Sequence, residues 1–402
     1  MRARWLLGLA SVLGCTSSPA ASPDGGTADG GGTSTRDATV HTAPDGGPPQ
    51  LRDCAGLAAV GTFEDITPPE LTASGESAFA IATDPSRQGV VYVGSVNAGF
   101  YKSEDCGASW VRVATGMNGE AIDSAMSWSI TVDPTDSNRV YVAAGYAEGA
   151  VSGLYRSQNG GTDWTAIWPP AGQPELHGIV DYEFANVMSM DPDDPTHLLL
   201  TFHANCHLPP DTEAARVCFA ESFDRGDSWR LLPGIPEWSG WEGQHLLFLE
   251  RNRWLYTSQE NGSWVLTVAD DGRYTADPIE GLVGSHLQGT GFVRSRSGRF
   301  FVAGNDAVWS SASGNPTDWS PAEDTGPILG GIVDTPSGIY TTNCYFPGFC
   351  TPSLLRSTDD GQTWAHTDLP AGVDMGGALA YDAGHGLVFF SGGTHVLRYR
   401  AE

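Results

Sequence analysis

The sequence predicts an all-β protein, a seven-bladed β-propeller of four-stranded antiparallel blades that is closed by its N-terminal strand. Three observations lead to this prediction. A short motif ending in tryptophan recurs along the chain, an Asp-Pro turn between two strands recurs before it, and the chain ends in three strands that lack a fourth. Self-similarity at a period of about 40 to 50 residues is typical of repeat architectures, and repeats made of strands indicate propeller blades.

The tryptophan-ending motif, which we call the corner motif, reads Ser-x-Asp-x-Gly-x-x-Trp. Its Ser and Asp side chains are short enough to bond nearby backbone, its Gly supplies a positive φ, and its Trp begins the outgoing strand with a large apolar face. The motif therefore predicts a hairpin corner with a structural Asp. Full copies span residues 103–110, 222–229 and 357–364, the copy at 157–164 has Asn159 in the Asp position, and worn copies span 268–272 and 310–319.

The Asp-Pro turns lie at residues 84–85, 133–134 and 191–192, and each is followed by an apolar run. A third strand, such as residues 153–156, then leads into the corner motif and a fourth strand. Strands joined in this order by short turns make one antiparallel sheet. Six corner motifs thus predict six complete blades.

The seventh blade is predicted to join the two ends of the chain. Residues 377–381, 387–390 and 396–399 read as three strands, and residues 62–67 read as a lone strand near the start. We expect the early strand to complete the last blade, because closure removes free sheet edges that invite aggregation. Six or eight blades are disfavoured, because the number of predicted strands would then not fill every blade of a closed ring.

The corner motif resembles the Asp-box, or BNR repeat, of the sialidase-like and sortilin-like β-propellers. The resemblance covers about residues 60–402 and implies the fold but not one activity, because relatives with this hairpin include sialidases, receptors, xyloglucan hydrolases and a photosystem II assembly factor. It also implies that the first strand of each blade lines a central channel. The corner motifs would then lie opposite the loops that join second and third strands.

The composition is strongly acidic, with 48 acidic groups, 21 basic groups and a formal net charge of -27 in 402 residues. A phosphate binder needs a basic stripe, so we expect no nucleic-acid partner. The acidity indicates either solubility or attraction of Ca²⁺ or cationic ligands. The sequence has no phosphate-binding Gly loop, His-Glu-x-x-His or Cys-x-x-Cys pattern, so no cofactor and no metal are expected.

Residues 1–15 have the layout of a bacterial lipoprotein signal peptide: a basic start, and an apolar run too short to span a bilayer. The run ends in Val-Leu-Gly-Cys, which resembles a lipobox and implies lipidation of Cys15; ordinary secretion is the alternative. Residues 16–50 are rich in Ser, Thr, Pro and Gly and predict a flexible tether, which leaves residues 51–402 for the propeller. We expect an exported monomer, an outer-membrane lipoprotein or a secreted protein, that meets the membrane through its lipid anchor only.

Seven cysteines occur, and six remain once Cys15 is assigned to the lipid. Two pairs flank insertions in the loops, and the third would tie the N-terminal segment to the first corner motif. Three disulfides fit an oxidising compartment. The expected pairs are Cys54–Cys106, Cys206–Cys218 and Cys344–Cys350.

The largest predicted loops belong to one face of the propeller: residues 115–128, 169–186, 201–218, 233–244 and 341–352. A concave surface with convergent polar groups is the default hypothesis for a site, and exposed tryptophans with carboxylates and imidazoles suit a sugar. The candidate ligand-binding residues are His203, Asn205, Trp238, Trp241, His245, Glu260, Asn305 and Tyr345.

Binding at the cell envelope, to a glycan or another protein, is the function that the sequence favours, because every strong motif is structural. The alternative is a glycoside hydrolase, sialidase-like or xyloglucanase-like, whose two carboxyl groups stand roughly 5 to 9.5 Å apart. Its candidate catalytic residues are Asp181, Glu183 and Glu242. The Arg-Ile-Pro segment that sialidases carry is absent from the sequence, and one propeller supplies half of a xyloglucanase cleft. A third hypothesis is an envelope assembly scaffold that needs no pocket.

Overall fold

A computed structural model describes residues 50–145, 152–208, 216–235, 244–258, 261–284, 291–327, 330–345, 347–348 and 350–402. In this part of the chain, strands form seven four-stranded antiparallel sheets arranged as the blades of a β-propeller. The fold class predicted from the repeats is therefore confirmed. No helix in the described ranges is long and apolar enough to cross a membrane.

The strands follow the order of the repeats. The first are β1 (Gln50–Leu51), β2 (Phe63–Asp65), β3 (Ala78–Thr83), β4 (Arg87–Gln88), β5 (Val91–Ser95), β6 (Phe100–Ser103) and β7 (Val111–Arg112). Blades 2 and 3 contain β8 (Met126–Val132), β9 (Val140–Gly145), β10 (Gly153–Ser157), β11 (Thr165–Trp168), β12 (Ala185–Asp191), β13 (Asp194–Phe202), β14 (Cys218–Ser222) and β15 (Arg230–Pro233). Blades 4 and 5 contain β16 (Gln244–Glu250), β17 (Arg253–Ser258), β18 (Ser263–Val268), β19 (Tyr274–Ile279), β20 (Phe292–Arg294), β21 (Phe300–Ala303), β22 (Val308–Ser311) and β23 (Ser320–Pro321).

The remaining strands are β24 (Ile332–Thr335), β25 (Gly338–Thr342), β26 (Ser353–Ser357) and β27 (Ala365–Asp368) of blade 6, followed by β28 (Leu379–Asp382), β29 (Leu387–Gly392) and β30 (His395–Arg400) of blade 7. Two short helices, α1 (Pro69–Ser74) and α2 (Gly119–Asp123), precede blades 1 and 2. The link into blade 3 contains the 3-10 turns Pro174–Leu176 and Asp181–Glu183.

The N-terminal strand β2 completes blade 7, whose strand order is β2-β30-β29-β28. Phe63 pairs with Tyr399, and their ring centroids lie 4.9 Å apart. Arg398 Nε donates a hydrogen bond to Glu64 Oε2 at 3.0 Å, Arg398 Nη2 lies 2.8 Å from the same oxygen, and Arg398 is buried. Because β2 and the last strand, β30, share one sheet, backbone hydrogen bonds close the ring. The predicted closure is therefore confirmed.

The apolar runs of the second strands follow from their position between blades. Strands β5, β9 and β29 are buried along their whole length. A middle strand covered on both faces has no solvent side, so apolar residues run continuously in it instead of alternating. The first strands form the inner ring: β3 contacts β8 and β28, β8 contacts β12, and β12 contacts β16.

The corner motif of blade 3 shows how its polar residues fold the hairpin. Ser222 Oγ donates a hydrogen bond to Asp224 Oδ1 at 2.8 Å and accepts one from the Gly226 amide at 2.9 Å. The Ser228 amide donates to Asp224 Oδ1 at 2.8 Å, and the Ser228 hydroxyl donates to Asp224 Oδ2 at 2.5 Å. Gly226 has φ 89°, the left-handed region that glycine adopts without strain. The Asp carboxylate is thus occupied within the turn, as its predicted structural role requires.

The copy with Asn159 reverses one hydrogen bond of this turn. Its seventh residue is Asp163, which only accepts, whereas Ser or Thr occupies that position in the full copies and donates. Asn159 Nδ2 donates to Asp163 Oδ2 at 2.7 Å, and the Asp163 amide donates to Asn159 Oδ1 at 2.9 Å. Asn in place of Asp at the third position of the motif therefore compensates for Asp in place of Ser or Thr at the seventh.

We expect the consensus substitution Asn159→Asp to lower the free energy of unfolding by about 1 to 2 kcal/mol, since two carboxylates would then face each other without a donor. Chemical denaturation at pH 7 measures this change. Adding Asp163→Ser supplies the missing hydroxyl, so the double variant should regain part of the loss. Asp163→Ser alone measures the loss of the hydrogen bond from the Met117 amide to Asp163 Oδ1. A double variant no more stable than the sum of the two single losses predicts would contradict the reversed hydrogen bond.

Three disulfides join the predicted pairs, which are Cys54–Cys106, Cys206–Cys218 and Cys344–Cys350. The first one fixes the N-terminal segment. Strand β1 pairs in parallel with β4, the short strand in the first turn of blade 1, and the Arg52 amide donates to Gln88 O at 2.9 Å. The segment before the propeller is therefore held both by backbone hydrogen bonds and by a covalent bond.

Candidate functional site

The first turns and the corner motifs share one face of the propeller, which we call the corner face. In blade 1 the amide of Cys106, in the corner motif, donates to Gly89 O in the first turn at 2.9 Å. In blade 2 the Gly160 amide donates in the same way to Asn138 O at 2.9 Å. In an antiparallel meander the other connections, between second and third strands and between blades, emerge on the opposite side. We call that side the loop-rich face.

A cavity of about 260 Å³ opens where the first strands of blades 1, 2 and 7 begin on the loop-rich face. We call it the loop-face cavity. Its wall is mostly apolar because strand ends and loops from several blades contribute hydrocarbon side chains to it. The larger apolar side chains in the wall are those of Phe79, Val96, Met126, Tyr345, Pro347 and Met375. The predicted binding residue Tyr345 is thus part of this cavity.

The disulfide-bonded loop of blade 6 holds one side of the cavity in place. Cys344 precedes Tyr345 and has φ 57°, and its carbonyl accepts a hydrogen bond from the Gly376 amide at 3.0 Å. A Cβ on Gly376 would lie 2.4 Å from Asn343 O, and a Cβ on Gly377 would lie 2.1 Å from Ser391 O. Only glycine allows the link into blade 7 to pass this close to the blade 6 loop at Asn343 and to strand β29 at Ser391.

Four rings continue from the cavity wall into the interior of blades 2 and 3. The Phe79 centroid lies 5.2 Å from Trp128, and Trp128 lies 5.4 Å from Phe184 and 5.2 Å from His203. Phe184 and His203 stack at 5.3 Å with an interplanar angle of 17°. Burial among these rings lowers the pKa of His203, because removal from water disfavours the imidazolium. The predicted binding residue His203 is therefore a neutral member of an aromatic cluster at neutral pH.

The predicted catalytic residues Asp181 and Glu183 lie in one 3-10 turn on the same face. Asp181 Oδ1 is 3.1 Å from His207 Nε2, and the Asp181 amide donates to Asn205 O at 2.9 Å. Glu183 Oε1 accepts a hydrogen bond from the Gly178 amide at 2.7 Å, and burial raises the Glu183 pKa. The turn thus offers one carboxylate paired with an imidazole and one half-buried carboxyl group that holds its proton more readily.

The other predicted residues are dispersed. His245 is buried at the start of β16, paired with Thr257, so it is not on an accessible surface. Asn305 is exposed in blade 5, and its amide donates to Val283 O at 2.9 Å. Trp238, Trp241, Glu242, Glu260 and the lipidation candidate Cys15 lie outside the described residues.

Apart from Tyr345, the apolar cavity residues were not predicted from the sequence. Phe79 and Met126 lie at the start of the inner strands β3 and β8, and Met375 precedes β28, although residues 115–128 were predicted to form a loop. In the sequence each fits the pattern of an ordinary core residue. Their position gave a weak indication of a site, because all three residues lie at strand ends on the loop-rich face. Only the packing of three blades shows that the space between them is incompletely filled.

A second cavity, of about 280 Å³, lies on the corner face between blades 5 and 6. Its charged residues are engaged with one another: Arg296 Nε lies 3.1 Å from Asp334 Oδ2, and the Ser297 hydroxyl donates to Asp360 Oδ1 at 2.8 Å. These groups already pair with one another within the turns of blades 5 and 6. The loop-face cavity is therefore the stronger candidate for a site.

The chain matches no protein-family model and no curated protein sequence. It is similar to solved β-propellers. YCF48 bound to D1 peptide superposes with a TM-score of 0.56 at 16% identity, covering 87% of this chain and 100% of that one. The GH74 enzyme of Niastella koreensis gives 0.59 at 16% identity, covering 83% of this chain but 53% of the enzyme, so this chain spans about half its length. The extracellular domain of the B. thetaiotaomicron two-component system BT3049 gives 0.56 at 13%, covering 86% and 42%. At these identities the likeness establishes the β-propeller fold.

Proposed function

We propose that this chain is an exported ligand-binding propeller of the Asp-box type, and that it binds a segment of another protein through the loop-face cavity. The observation that supports this is the apolar wall around a space of about 260 Å³. A sugar ring needs several polar groups to bind its hydroxyls, whereas an apolar side chain gains free energy by leaving water for such a wall. A single Phe, Leu or Met side chain is the occupant that suits this volume and chemistry.

The comparisons are compatible with this proposal. YCF48 was solved with a D1 peptide, so in that protein the fold accommodates a peptide. The GH74 enzyme is about twice as long as the part that this chain matches, which weakens the analogy to a hydrolase cleft.

Filling the cavity tests the proposal. Ser77 lines the cavity and is half-buried, so Ser77→Trp should block it, while Ser77→Ala is the matched control. We expect the full chain to select peptides with an apolar residue from a random dodecapeptide library. Changing that residue to Ala should weaken binding at least about tenfold, from the loss of one buried side chain.

The Ser77→Trp variant should lose binding by a similar factor and Ser77→Ala should retain it, both measured by fluorescence anisotropy with the selected peptides. Unfolding midpoints close to that of the wild type would show that both variants fold. Selection of no peptide, or equal binding by Ser77→Trp, would overturn the proposal. A glycan array run in parallel covers the sugar alternative, which strong glycan signals with no peptide selection would favour.

Glycoside hydrolysis is the second candidate, and the raised pKa of Glu183 favours it, because a general acid must hold a proton at working pH. Its partner would be Asp181, or Glu242 outside the described residues. Release of sugar from xyloglucan or sialyllactose by the wild type, and its loss in Glu183→Gln, would establish this activity. No release from either substrate would leave the binding function, or a scaffold role without a ligand pocket.

Location at the cell envelope belongs to the same proposal. It rests on the signal-like residues 1–15, the lipobox Cys15 and the tether at 16–50, together with three disulfides that suit an oxidising compartment. Incorporation of radiolabelled palmitate into the wild type but not into Cys15→Ala would support a lipid anchor.

A further inference from the structure

The loop-face cavity has carboxylates at its rim. Asp374 and Glu76 are both exposed, and each directly precedes a lining residue, Met375 and Ser77 respectively. Asp374 Oδ1 lies 3.1 Å from the position that a Cβ on the lining residue Gly393 would occupy, so this carboxylate borders the opening.

The two carboxylates stand on neighbouring links of the propeller. Glu76 is in the link into blade 1 and Asp374 is in the link into blade 7, and the first strands of these blades, β3 and β28, are in contact. The Ala78 amide donates to Gly393 O at 2.9 Å, which joins the start of β3 to the turn between β29 and β30, the turn that Asp374 borders. A ligand seated in the cavity would therefore meet both groups.

The two rim carboxylates, unlike many other carboxylates of the chain, are not in ion pairs with any arginine that the structure describes. Within the described ranges, arginines are repeatedly paired with carboxylates, as in Arg112 with Asp123 and Arg139 with Asp133. The ion pairs of the described residues include neither Asp374 nor Glu76, and the cavity lining contains no basic side chain. The rim is thus an uncompensated negative patch on a chain whose formal net charge is -27.

We infer that the peptide segment bound at the loop-face cavity is basic: one apolar side chain enters the cavity, and Lys or Arg residues on either side contact Asp374 and Glu76. This inference rests on the proposed function and specifies its ligand. The long stems of Lys and Arg reach past the opening while their charged ends stay near water. The field of the acidic chain adds attraction at longer range and should speed association at low salt.

Three dodecapeptides test the inference with the full chain, by fluorescence anisotropy at low salt. Each has a central Phe within a Gly-Ser sequence, flanked on both sides by two Lys, two Ser or two Glu residues. We expect the Lys-flanked peptide to bind about tenfold more tightly than the Ser-flanked one, and the Glu-flanked peptide more weakly than both. The difference should shrink at about 0.5 M salt, because salt screens exposed charges.

The Asp374→Asn/Glu76→Gln double variant should lose most of its preference for the Lys-flanked over the Ser-flanked peptide, with Ser-flanked binding unchanged; the remaining preference comes from the net charge of the chain. The matched control is Glu120→Gln/Glu280→Gln, which removes the same charge at two other exposed sites and should keep the preference. Equal binding of the Lys- and Glu-flanked peptides, still blocked by Ser77→Trp, would overturn this inference and leave the proposed function standing. If Ser77→Trp blocks none of them, the proposed function itself fails.

Discussion

Replacing Cys54 and Cys106 together with serine is expected to lower the free energy of unfolding by about 4 kcal/mol. The two cysteines are 52 residues apart in sequence. A cross-link that closes a loop of this length removes much conformational freedom from the unfolded chain, and the loss of that restraint is worth about 4 kcal/mol in the chain-entropy description. Denaturation by guanidinium in oxidising buffer, followed by tryptophan fluorescence, measures the change.

In this variant the native state also loses the covalent attachment of its N-terminal segment to the propeller. The disulfide holds the segment after β1 against the corner face, where the Gln50 amide donates to Ser86 O at 2.8 Å and His385 Nε2 lies 2.9 Å from Arg52 O. These contacts join blades 1 and 7 beside the place where β2 closes the ring. We therefore expect the variant to expose the N-terminal segment to proteases before the propeller unfolds.

The matched control is removal of the Cys344–Cys350 disulfide, whose partners are only 6 residues apart. The same description gives a loss of about 2 kcal/mol for so short a loop. Its larger effect should be on ligand binding, because this loop carries Tyr345 to the cavity. Equal losses of stability for the two disulfides would contradict the dependence on loop length.

The fold was predictable because its determinants are local. Each corner motif encodes its own hairpin through contacts within eight residues, as in the Ser222 to Ser228 turn, and the repeats then fix the number of blades. The closure by β2 was predictable for a different reason: residues 62–67 had strand character without neighbours, and the last three strands lacked a partner. Counting strands sufficed, without knowledge of side-chain packing.

The site was less predictable because it depends on contacts between distant parts of the chain. The loop-face cavity joins Phe79, Tyr345 and Met375, and no sequence pattern shows that their blades leave space between them. His245 shows the converse error in reasoning from polar residues near loops. It follows a predicted loop, yet it lies inside β16 and is buried.

A buried polar chain across blade 3 was also invisible in the sequence, because its members come from all four strands. His197 Nδ1 lies 3.2 Å from Asp191 Oδ2, and His197 Nε2 lies 2.8 Å from Glu221 Oε1. Arg230 Nη2 lies 2.5 Å from Glu221 Oε2, and the Phe223 ring stacks on the imidazole at 4.6 Å. The imidazole is buried between two carboxylates, which favours its charged form.

The second large effect is expected from His197→Gln, with a loss of about 3 kcal/mol in the free energy of unfolding at pH 6, because Asp191 would remain buried without its cation. Burial alone would lower the pKa of His197, but hydrogen bonds to Asp191 and Glu221 and their charges outweigh it, so the pKa is raised above 6.5. The folded state therefore binds the proton more tightly than the unfolded state does. The resulting stabilisation is complete below the unfolded pKa and is lost as pH rises through the folded one.

Denaturation of the wild type and of His197→Gln across pH 5.5 to 9 separates charge from packing. The difference between the two proteins should be largest at the acidic end and should shrink as the imidazolium of the wild type loses its proton. The exposed His366, whose Nε2 lies 2.7 Å from Asp324 O, provides the control, since His366→Gln should follow the wild-type curve. A difference that stayed constant over the whole range would mean that His197 stabilises blade 3 by its shape and not by its charge.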